Sequence, residues 1–516
     1  MKKKVSLVLL ILILLLAAYL RLYRISDYMT FLGDEGRDVL VAKEILEGNF
    51  TLLGPRSSAG DFFMGPIYYY MITPFLWLFN YDPVGPAVMV ALFGIATVWL
   101  IYFVGKKWFN SATGLFAAAL YAVSPIVITY SHSSWNPNVL PFFALLLMYI
   151  LVESVSKQKH WRHFVFIGFL LGVALQLHYV SLFLCVIVAV YLVWGTKLIK
   201  KKIEAIPLIK QYLQILGGFL LGFSPFLAFE TRHGFINIKT IFSFIFGGTP
   251  DKSTETGATF LMVISDVFFR IFAKLVFYFP SVDKYQNFTQ QQLQLFGLFT
   301  MVIAIAAVIS LWFVKNKATK LLIFLWLGLG VLLFGFYKKS IYDYNFVYLF
   351  PLPFLLVGNF FAKLLDLGKT KLQKIIFISL SLVIFSGVFI YNFSGMPFRY
   401  IPNRQKDQVK IIAEAVIEHS GNKPYNFALI SKGNSDHAYR YYLDVLGHPP
   451  VTLENTIIDP ERKTAMNQLF VVCEDILCKP LGDSLFDVAG FGRAEIVGQW
   501  DVIVVKVYKL VPFVEK

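Results

Sequence analysis

Charged residues are scarce in this chain of 516 residues: they make up 15% of it, whereas 57% is hydrophobic and 17% is aromatic. Soluble domains carry about 25% charged residues, so the composition excludes a soluble globular protein. Long apolar runs recur along most of the chain instead. We therefore expect a polytopic membrane protein.

Cysteine is almost absent as well. Of the three cysteines, Cys185 lies in an apolar run, and Cys473 and Cys478 are close together in the polar C-terminal region. This excludes a paired Cys-x-x-Cys metal site, while the latter two are compatible with a local disulfide if their region is extracytoplasmic. The same region lacks Gly-x-Gly-x-x-Gly and Walker loops, so nothing supports nucleotide binding. We expect no metal and no other cofactor.

The formal charge is +15, yet it does not indicate a nucleic-acid-binding protein. The basic residues fall in short clusters between apolar runs rather than along one surface, which is typical of topology signals. Eleven apolar segments have membrane-spanning character, and they lie at residues 5–20, 83–104, 113–130, 139–155, 164–177, 180–194, 212–229, 295–314, 321–336, 341–361 and 375–391. The first follows three lysines and would also fit a signal peptide, but it exceeds the roughly 7 to 15 residues of a signal core, which favours an uncleaved helix.

Lysine and arginine accumulate in cytoplasmic loops. With a cytoplasmic N-terminus most basic clusters fall inside, and Lys338 with Lys339 is the main exception. This requires residues 66–79, which contain three tyrosines and Pro74, to form an interfacial or re-entrant helix rather than a span. The long outer loops are then residues 23–82 and 230–293, the latter with an interfacial helix near residues 260–279. The second outer loop along the chain is the short one at residues 131–138. We expect an integral protein of the cell membrane.

The composition becomes that of a soluble domain after Tyr391. We therefore divide the chain into a membrane domain, residues 1–396, and an extracytoplasmic α/β module, residues 397–516. The module's periodicities predict helices at residues 409–418 and 436–445 and strands at residues 426–430, 469–473 and 501–510. The fold class is thus an α-helical polytopic membrane protein of about eleven spans with a small C-terminal α/β domain.

The first outer loop carries the most interpretable chemistry, because Asp34 and Glu35 are adjacent about ten residues after the first apolar run. Residues 37–47 place polar and apolar side chains on opposite arcs, which predicts a helix lying on the membrane surface and ended by Gly48. A carboxylate there suits proton abstraction from a substrate. The alternative for Asp34 is an N-cap of that helix.

At this point the sequence resembles the polyprenyl-phosphate-dependent membrane glycosyltransferases of the GT-C fold, in particular the protein O-mannosyltransferase and aminoarabinose transferase group. The resemblance covers roughly the first 180 residues well and the rest mainly by topology. The matching stretches are Arg21-Leu-Tyr-Arg24 leading into Asp34-Glu35, Gly54-Pro55-Arg56, Pro66-Ile-Tyr-Tyr-Tyr70, Gly105-Lys-Lys-Trp-Phe109, and Ser124-Pro125 running into Trp135-Asn-Pro-Asn138.

The resemblance implies an inverting transfer of a monosaccharide from a polyprenyl-phosphate donor to a hydroxyl or amine of a lipid, protein or glycan, next to membrane lipids on the outer face. Asp34 would be the base, and Glu35 would help to place the acceptor or the base. The remaining candidates would bind the donor's phosphate or sugar: Arg37, Arg56, Tyr69, Asn138, His178, Arg232, His233 and Lys338. For several of them an ordinary structural role is the alternative, such as pairing of Arg37 with Asp34 or Asp38.

Two departures from the family pattern concern this donor site. Many relatives have His-Pro-Pro or Lys-Pro-Pro before the tyrosine-rich helix, where this chain has Met64-Gly65-Pro66, so that cation is replaced or missing. Relatives often have Pro-Asp in the second outer loop, where this chain has Pro137-Asn138. An asparagine cannot act as a base, but it can hydrogen-bond a sugar.

Two other classes compete with an enzyme. A lipid or sugar transporter or flippase would suit the many spans, although the sequence has no inverted repeat and no corresponding buried charges. A catalytically silent scaffold would use the C-terminal module to recruit a partner. An oligosaccharyltransferase is a nearer relative, but the C-terminal region has no Trp-Trp-Asp signature.

Overall fold

The computed structural model describes residues 3–57, 60–157, 160–201, 203–246, 259–337, 339–475 and 477–514. The described residues are mostly helical. The first half of the chain contains α1 (Lys3–Leu22), α2 (Ile25–Tyr28), α3 (Gly33–Leu46), α4 (Ile67–Leu78), α5 (Val84–Trp108), α6 (Ser111–Ala122), α7 (Pro125–Ser131), α8 (Leu140–Ser156), α9 (Trp161–Leu177), α10 (Leu182–Lys200), α11 (Ala205–Gly222), α12 (Ser224–Arg232) and α13 (Ile236–Phe246).

The second half contains α14 (Phe260–Ala273), α15 (Gln290–Ile309), α16 (Lys317–Leu332), α17 (Pro351–Asp366), α18 (Lys371–Asn392), α19 (Gln405–Ser420), β1 (Asn426–Ile430), α20 (His437–Val445), β2 (Leu469–Cys473), α21 (Phe486–Ala489), β3 (Ala494–Val502) and β4 (Val505–Pro512). Short 3-10 helices join several of them, including Asn136–Val139, Tyr179–Ser181, Leu333–Phe336 and Asp343–Leu349.

Within the described residues, eight helices are long and apolar enough to cross a membrane, or up to ten if each of two bent helix pairs is one span. Trp161–Leu177 is a shorter apolar helix. Each of the eleven predicted segments overlaps one of these helices, but the exact number of crossings stays a prediction. The chain is an integral membrane protein.

The segment at residues 66–79, predicted to be interfacial or re-entrant, contains α4. This helix has 12 residues and contains Pro74, so at about 1.5 Å per residue it is too short for a hydrocarbon core of about 30 Å. The predicted helix near residues 260–279 is the shorter α14.

A break between α6 and α7 bends that pair by 64°. Pro125 opens α7, and Ser124 before it is extended, as the proline ring requires of its predecessor. The break leaves carbonyl groups at the end of α6 without helical partners. The fully buried guanidinium of Arg21 on α1 donates to two of them, Tyr121 O at 3.2 Å and Ala122 O at 3.0 Å.

Helices α9 and α11 pack through glycines. Gly168 and Gly172 lie one turn apart on α9, and Gly218 and Gly222 lie one turn apart on α11. A Cβ atom at Gly218 would lie 1.8 Å from the carbonyl oxygen of Val165. Two such small-residue pairs let the helix backbones approach closely. Close packing matters in a membrane, because the hydrophobic effect does not drive helices together in lipid.

The C-terminal residues form a four-stranded sheet of order β1-β2-β4-β3, in which β1 and β2 are parallel and the other neighbours are antiparallel. Strands β1 and β2 and helices α19 and α20 confirm the predicted pattern. The predicted terminal strand, residues 501–510, was wrong, because the chain turns at Ile503 and Val504 and pairs back on itself as β3 and β4. Cys473 and Cys478 form a disulfide.

The chain folds into two compact units. The first contains Met1–Tyr23, Thr51–Tyr70 and Val88–Ile401, and the second contains Arg24–Phe50, Met71–Ala87 and Pro402–Lys516. Helix α3 therefore belongs to the same unit as the C-terminal sheet. The predicted division at residue 397 stays a prediction.

Candidate active site

The acid pair lies in the first turn of α3. The helix begins at Gly33, directly after the extended residue Leu32, so Asp34 and Glu35 occupy its second and third positions. Acidic side chains are favourable there, because the helix dipole places partial positive charge at the N-terminus.

Glu35, rather than Asp34, caps this helix. Its carboxylate accepts the backbone N–H of Leu32 at 3.1 Å, which is the glutamate half of a capping box. The side chain is buried, with 5% of the residue exposed. The alternative interpretation of Asp34 as the N-cap is therefore wrong, since the backbone places residue 32 at that position.

Asp34 is the accessible member of the pair. Its side chain is 56% exposed, and its Oδ1 accepts a hydrogen bond of 2.8 Å from Arg37 Nη1, one helical turn later. The carboxylate of Asp34 is exposed and paired with Arg37 one turn away, so it is accessible to a substrate. The carboxylate of Glu35 is instead bound to the backbone N–H at the start of the helix.

Arg37 is also bound by a second carboxylate. Its Nε and Nη2 donate to Asp38 Oδ1 at 3.0 and 2.7 Å. Asp38 is fully buried, and this burial raises its pKa to about 7 although the guanidinium of Arg37 acts in the opposite direction. The charge of Arg37 is thus shared between Asp34 and Asp38. The predicted phosphate contact of Arg37 would have to compete with both.

The polar run Asn434-Ser435-Asp436-His437 faces the start of α3 within the second unit. Asn434 Oδ1 accepts the N–H of Gly33 at 2.8 Å, and Ser435 Oγ lies 2.8 Å from His437 Nδ1. Burial lowers the pKa of His437 below its ordinary value, against the effect of Asp436. This run was not predictable from the sequence, because no local signal links it to residues 400 positions earlier.

Apart from Arg37, the candidate donor residues that the structure describes belong to the first unit. Arg56 forms an exposed ion pair with Asp61, with Nε to Oδ1 at 2.7 Å. Tyr69 is buried in α4, and the neighbouring Tyr68 hydroxyl lies 2.9 Å from Ser134 Oγ in the second predicted outer loop.

Asn138 and His178 are held by backbone groups. Asn138 Nδ2 donates to Ser133 O at 2.9 Å, while its buried Oδ1 has no hydrogen-bond partner among the described residues. His178 is buried, and its Nδ1 accepts the N–H of Val180 at 3.3 Å. Burial lowers the pKa of His178 to about 3, so the imidazole is neutral at physiological pH.

Two further candidates lie in the first unit, at the end of α12. Arg232 and His233 are exposed at the end of α12, where His233 Nδ1 lies 2.8 Å from the carbonyl oxygen of Phe229. Lys338 lies outside the described residues.

A cavity of 590 Å³ lies within the first unit. Most of its lining is apolar or aromatic, and a few polar groups such as Asp61, Thr240 and Lys339 join it. The apolar and aromatic lining residues are Phe62, Phe63, Met64, Leu175, Tyr179, Val180, Leu182, Phe183, Phe223, Phe226, Ile241, Leu333, Phe336 and Tyr337. This size and lining are typical of a ligand pocket for an apolar molecule.

Side chains that could ligate a metal ion do not cluster in the described part of the chain. It contains no group of three or more histidine, cysteine, aspartate or glutamate side chains arranged to hold a metal ion.

Comparison by sequence places part of the chain in similarity to a known protein family. Residues 64–229 match the model of the dolichyl-phosphate-mannose-protein mannosyltransferase family. No curated protein matches the chain at a significant level.

Comparison by structure gives wider coverage. The chain is similar to ArnT from Cupriavidus metallidurans bound to undecaprenyl phosphate, with 13% identity, a TM-score of 0.61 and 98% of each chain covered. It is similar to the oligosaccharyltransferase AglB from Archaeoglobus fulgidus in complex with an inhibitory peptide and a dolichol-phosphate, with 13% identity, a TM-score of 0.54, and 91% of this chain and 69% of that chain covered.

A third similar structure is the arabinofuranosyltransferase AftD from Mycobacteria, with 14% identity and a TM-score of 0.53. The match covers all of this chain but 40% of that one. At sequence identities this low, the structural similarity is evidence for a shared fold only. Together with the helical architecture described above, these likenesses show that the chain has the GT-C fold.

Proposed function

We propose that this protein is an inverting glycosyltransferase that moves a monosaccharide from a polyprenyl-phosphate donor to an acceptor hydroxyl or amine on the outer face of the membrane. The observation that carries the proposal is the first turn of α3, where an exposed Asp34 stands beside a buried, capping Glu35. The GT-C fold supports it, because two similar structures hold undecaprenyl phosphate and dolichol-phosphate.

In the proposed reaction Asp34 accepts the proton of the acceptor as its oxygen or nitrogen attacks the anomeric carbon. The bond from that carbon to the phosphate oxygen breaks, and the polyprenyl phosphate leaves with the bonding electrons. Base assistance of this kind contributes about 10²- to 10⁴-fold. Glu35 has a different part, since it fixes the start of α3 and so the direction in which Asp34 projects.

The donor's phosphate gains negative charge as the bond breaks, which calls for cations nearby. Arg56 remains the first candidate. Its ion pair with Asp61 is exposed, and exposed pairs contribute only about 0 to 1 kcal/mol. A phosphate can therefore displace Asp61 at little cost. Arg232, exposed at the end of α12, is the next candidate for the same reason.

The sugar and the lipid chain need different surfaces. Asn138 Oδ1, which has no hydrogen-bond partner among the described residues, and the neutral His178 are suited to hydrogen-bonding sugar hydroxyls. Tyr69 is a further candidate for contact with the sugar. The aromatic cavity of the first unit is suited to an isoprenoid chain, because that chain offers only apolar surface.

The test supplies purified protein with polyprenyl phosphate carrying radiolabelled mannose, arabinose or 4-amino-arabinose, together with membrane extract. We expect label to move to an extract component and free polyprenyl phosphate to appear in equal amount. Opposite anomeric configurations in donor and product, read by NMR, would support inversion. Failure of all three donors to lose label, with the protein folded, would contradict the proposal.

A further inference from the structure

A chain of hydrogen bonds in the second unit connects the sheet to the first turn of α3. Glu474 directly follows β2, and its Oε1 accepts Asn434 Nδ2 at 2.9 Å and the hydroxyl of Tyr439 at 2.8 Å. Asn434 Oδ1 in turn accepts the N–H of Gly33 at 2.8 Å and that of Ser435 at 2.9 Å. Gly33 is the first residue of α3 and precedes Asp34.

The orientation of the Asn434 amide is fixed by these partners. Its oxygen faces two N–H donors and its nitrogen faces a carboxylate, so a flipped amide would set donor against donor and acceptor against acceptor. The Gly33 N–H is one of the four amides that a helix start leaves unpaired. Glu35 satisfies the amide of Leu32, and Asn434 satisfies the next one.

Close packing leaves α3 little freedom to move against this segment. A Cβ atom at Gly33 would lie 1.9 Å from Ser435 Oγ, and one at Gly36 would lie 2.2 Å from the backbone nitrogen of Ala438. Glycine at both positions therefore lets the first turn of α3 lie directly against residues 435–438.

Glu474 is itself well anchored. Its backbone N–H donates to Ile430 O at 3.1 Å, which extends the parallel pairing of β1 and β2 by one residue. The preceding residue, Cys473, is covalently joined to Cys478. The carboxylate that holds Asn434 is thus attached to the rigid end of the sheet.

We propose that Asn434 and Glu474 are positioning residues for Asp34, and that the C-terminal sheet contributes to the reaction by holding the start of α3 through them. This inference rests on the proposed function. A general base must lie within hydrogen-bonding reach of the proton it accepts, and a shift of about 1 Å can cost about 10²-fold in rate.

The variants separate positioning from general stability. Asn434→Ala removes all three hydrogen bonds of the Asn434 amide, namely those with Glu474, Gly33 and Ser435. Glu474→Ala removes the carboxylate, and Glu474→Gln keeps an acceptor oxygen for Asn434 and Tyr439. The matched control is Asp444→Asn, which breaks the 3.0 Å ion pair of Lys43 at the far end of the same helix. Each is measured for kcat and for KM of the donor, and each is checked by its melting temperature.

We expect kcat to fall about 10- to 100-fold in Asn434→Ala and Glu474→Ala, with donor KM changed less than about threefold. Glu474→Gln should recover most of the loss, and Asp444→Asn should behave as wild type. Wild-type kcat in Asn434→Ala would overturn the inference. So would equal losses of kcat in Asn434→Ala and Asp444→Asn, because that result would indicate a structural role alone.

Hydrogen exchange gives a readout that does not depend on transfer. Amides of residues 32–35 should exchange faster in Asn434→Ala than in wild type or Asp444→Asn. If wild-type protein transfers no sugar, the proposed function fails and exchange alone decides whether Asn434 holds this turn. Unchanged exchange in Asn434→Ala would overturn the inference whatever the activity.

Discussion

Neighbouring charged side chains have distinct tasks in the first turns of α3. Asp34 is exposed, Glu35 is buried as a cap, and Arg37 links Asp34 to the buried Asp38. Their division of labour follows from backbone geometry, because a helix that begins at Gly33 turns Glu35 back onto the N–H of Leu32.

Glu35 should matter more to stability than Asp34. Glu35→Ala removes the acceptor for Leu32 N–H and should lower the free energy of unfolding by about 1 kcal/mol, whereas Glu35→Gln keeps an acceptor oxygen and should lose less. Asp34→Ala breaks an exposed ion pair with Arg37 and should cost about 0 to 1 kcal/mol. Thermal melts of the purified variants measure these differences, and a larger loss for Asp34→Ala than for Glu35→Ala would contradict this assignment.

Asp38 should make stability depend on pH. Burial raises its pKa to about 7, above the value of about 4 in an unfolded chain. Between these pH values the folded protein holds the extra proton, so the contribution of Asp38 to the free energy of unfolding falls as pH rises, by at most about 1.4 kcal/mol per pH unit. Asp38→Asn should remove that slope. Melting temperatures between pH 4 and 8 test it, and parallel curves for the two proteins would contradict it.

At this scale the sequence identified the acids but not their roles. Asp34 and Glu35 stood out as an adjacent pair before an amphipathic helix, and that helix is present. The position of the cap depends on the extended conformation of Leu32. Leucine has no preference for the N-cap position, so this conformation could not be predicted from the residue type. The burial of Asp38 depends on tertiary contacts, so its altered pKa was not predictable either.

Among the elements, the close contact between α9 and α11 could not be predicted from the sequence. Their glycine pairs lie within apolar runs, where hydropathy does not distinguish the packed face of a helix from its lipid-facing side.

The hairpin of β3 and β4 was not predicted, because its turn has no sequence signal. Residues 502–505 are all β-branched and apolar, with no turn residue, and Ile503 nevertheless adopts a positive φ of 52°. Strands β1 and β2 were predictable, because each is a short apolar run with clear boundaries.

Gly217 and Gly218 offer a matched pair for the contact of α9 with α11. A Cβ atom at Gly218 would meet the Val165 carbonyl oxygen at 1.8 Å, while one at Gly217 would have no atom of the described residues within 4 Å beyond its own helical backbone. Gly218→Ala should therefore lower stability by about 1 to 3 kcal/mol through overpacking. Gly217→Ala should be neutral or slightly stabilising, because alanine favours helix. Melting in detergent measures both, and equal effects would contradict the close contact.

For the whole molecule, the sequence predicted an integral membrane protein with a C-terminal α/β region, and both are confirmed. It did not predict that α3 folds with that region, since the hydrogen bond from Gly33 to Asn434 spans 401 positions. The count of spans is also sensitive to local breaks. Two predicted spans bend near prolines, and a third has 17 residues, so apolar length alone does not settle how often the chain crosses.

Orientation is a prediction of the basic clusters, and site-directed labelling tests it. In whole cells, a membrane-impermeant maleimide should react with cysteine at Asp61→Cys, in the first outer loop. Lys157→Cys, in a predicted cytoplasmic loop, should react only after permeabilisation. Asp61 and Lys157 are both exposed, so accessibility of the folded protein does not favour either. The reverse pattern would place the N-terminus outside and contradict the proposed outer-face reaction.

The most direct test of the central claim is the transfer rate of Asp34→Asn. The substitution preserves size and removes the carboxylate that is proposed as the base, so we expect kcat to fall at least about 10²-fold while polyprenyl phosphate still binds. Asp27→Asn, which alters the exposed ion pair of a neighbouring acid with Arg24, should transfer sugar at the wild-type rate. Full activity in a folded Asp34→Asn protein would contradict the account.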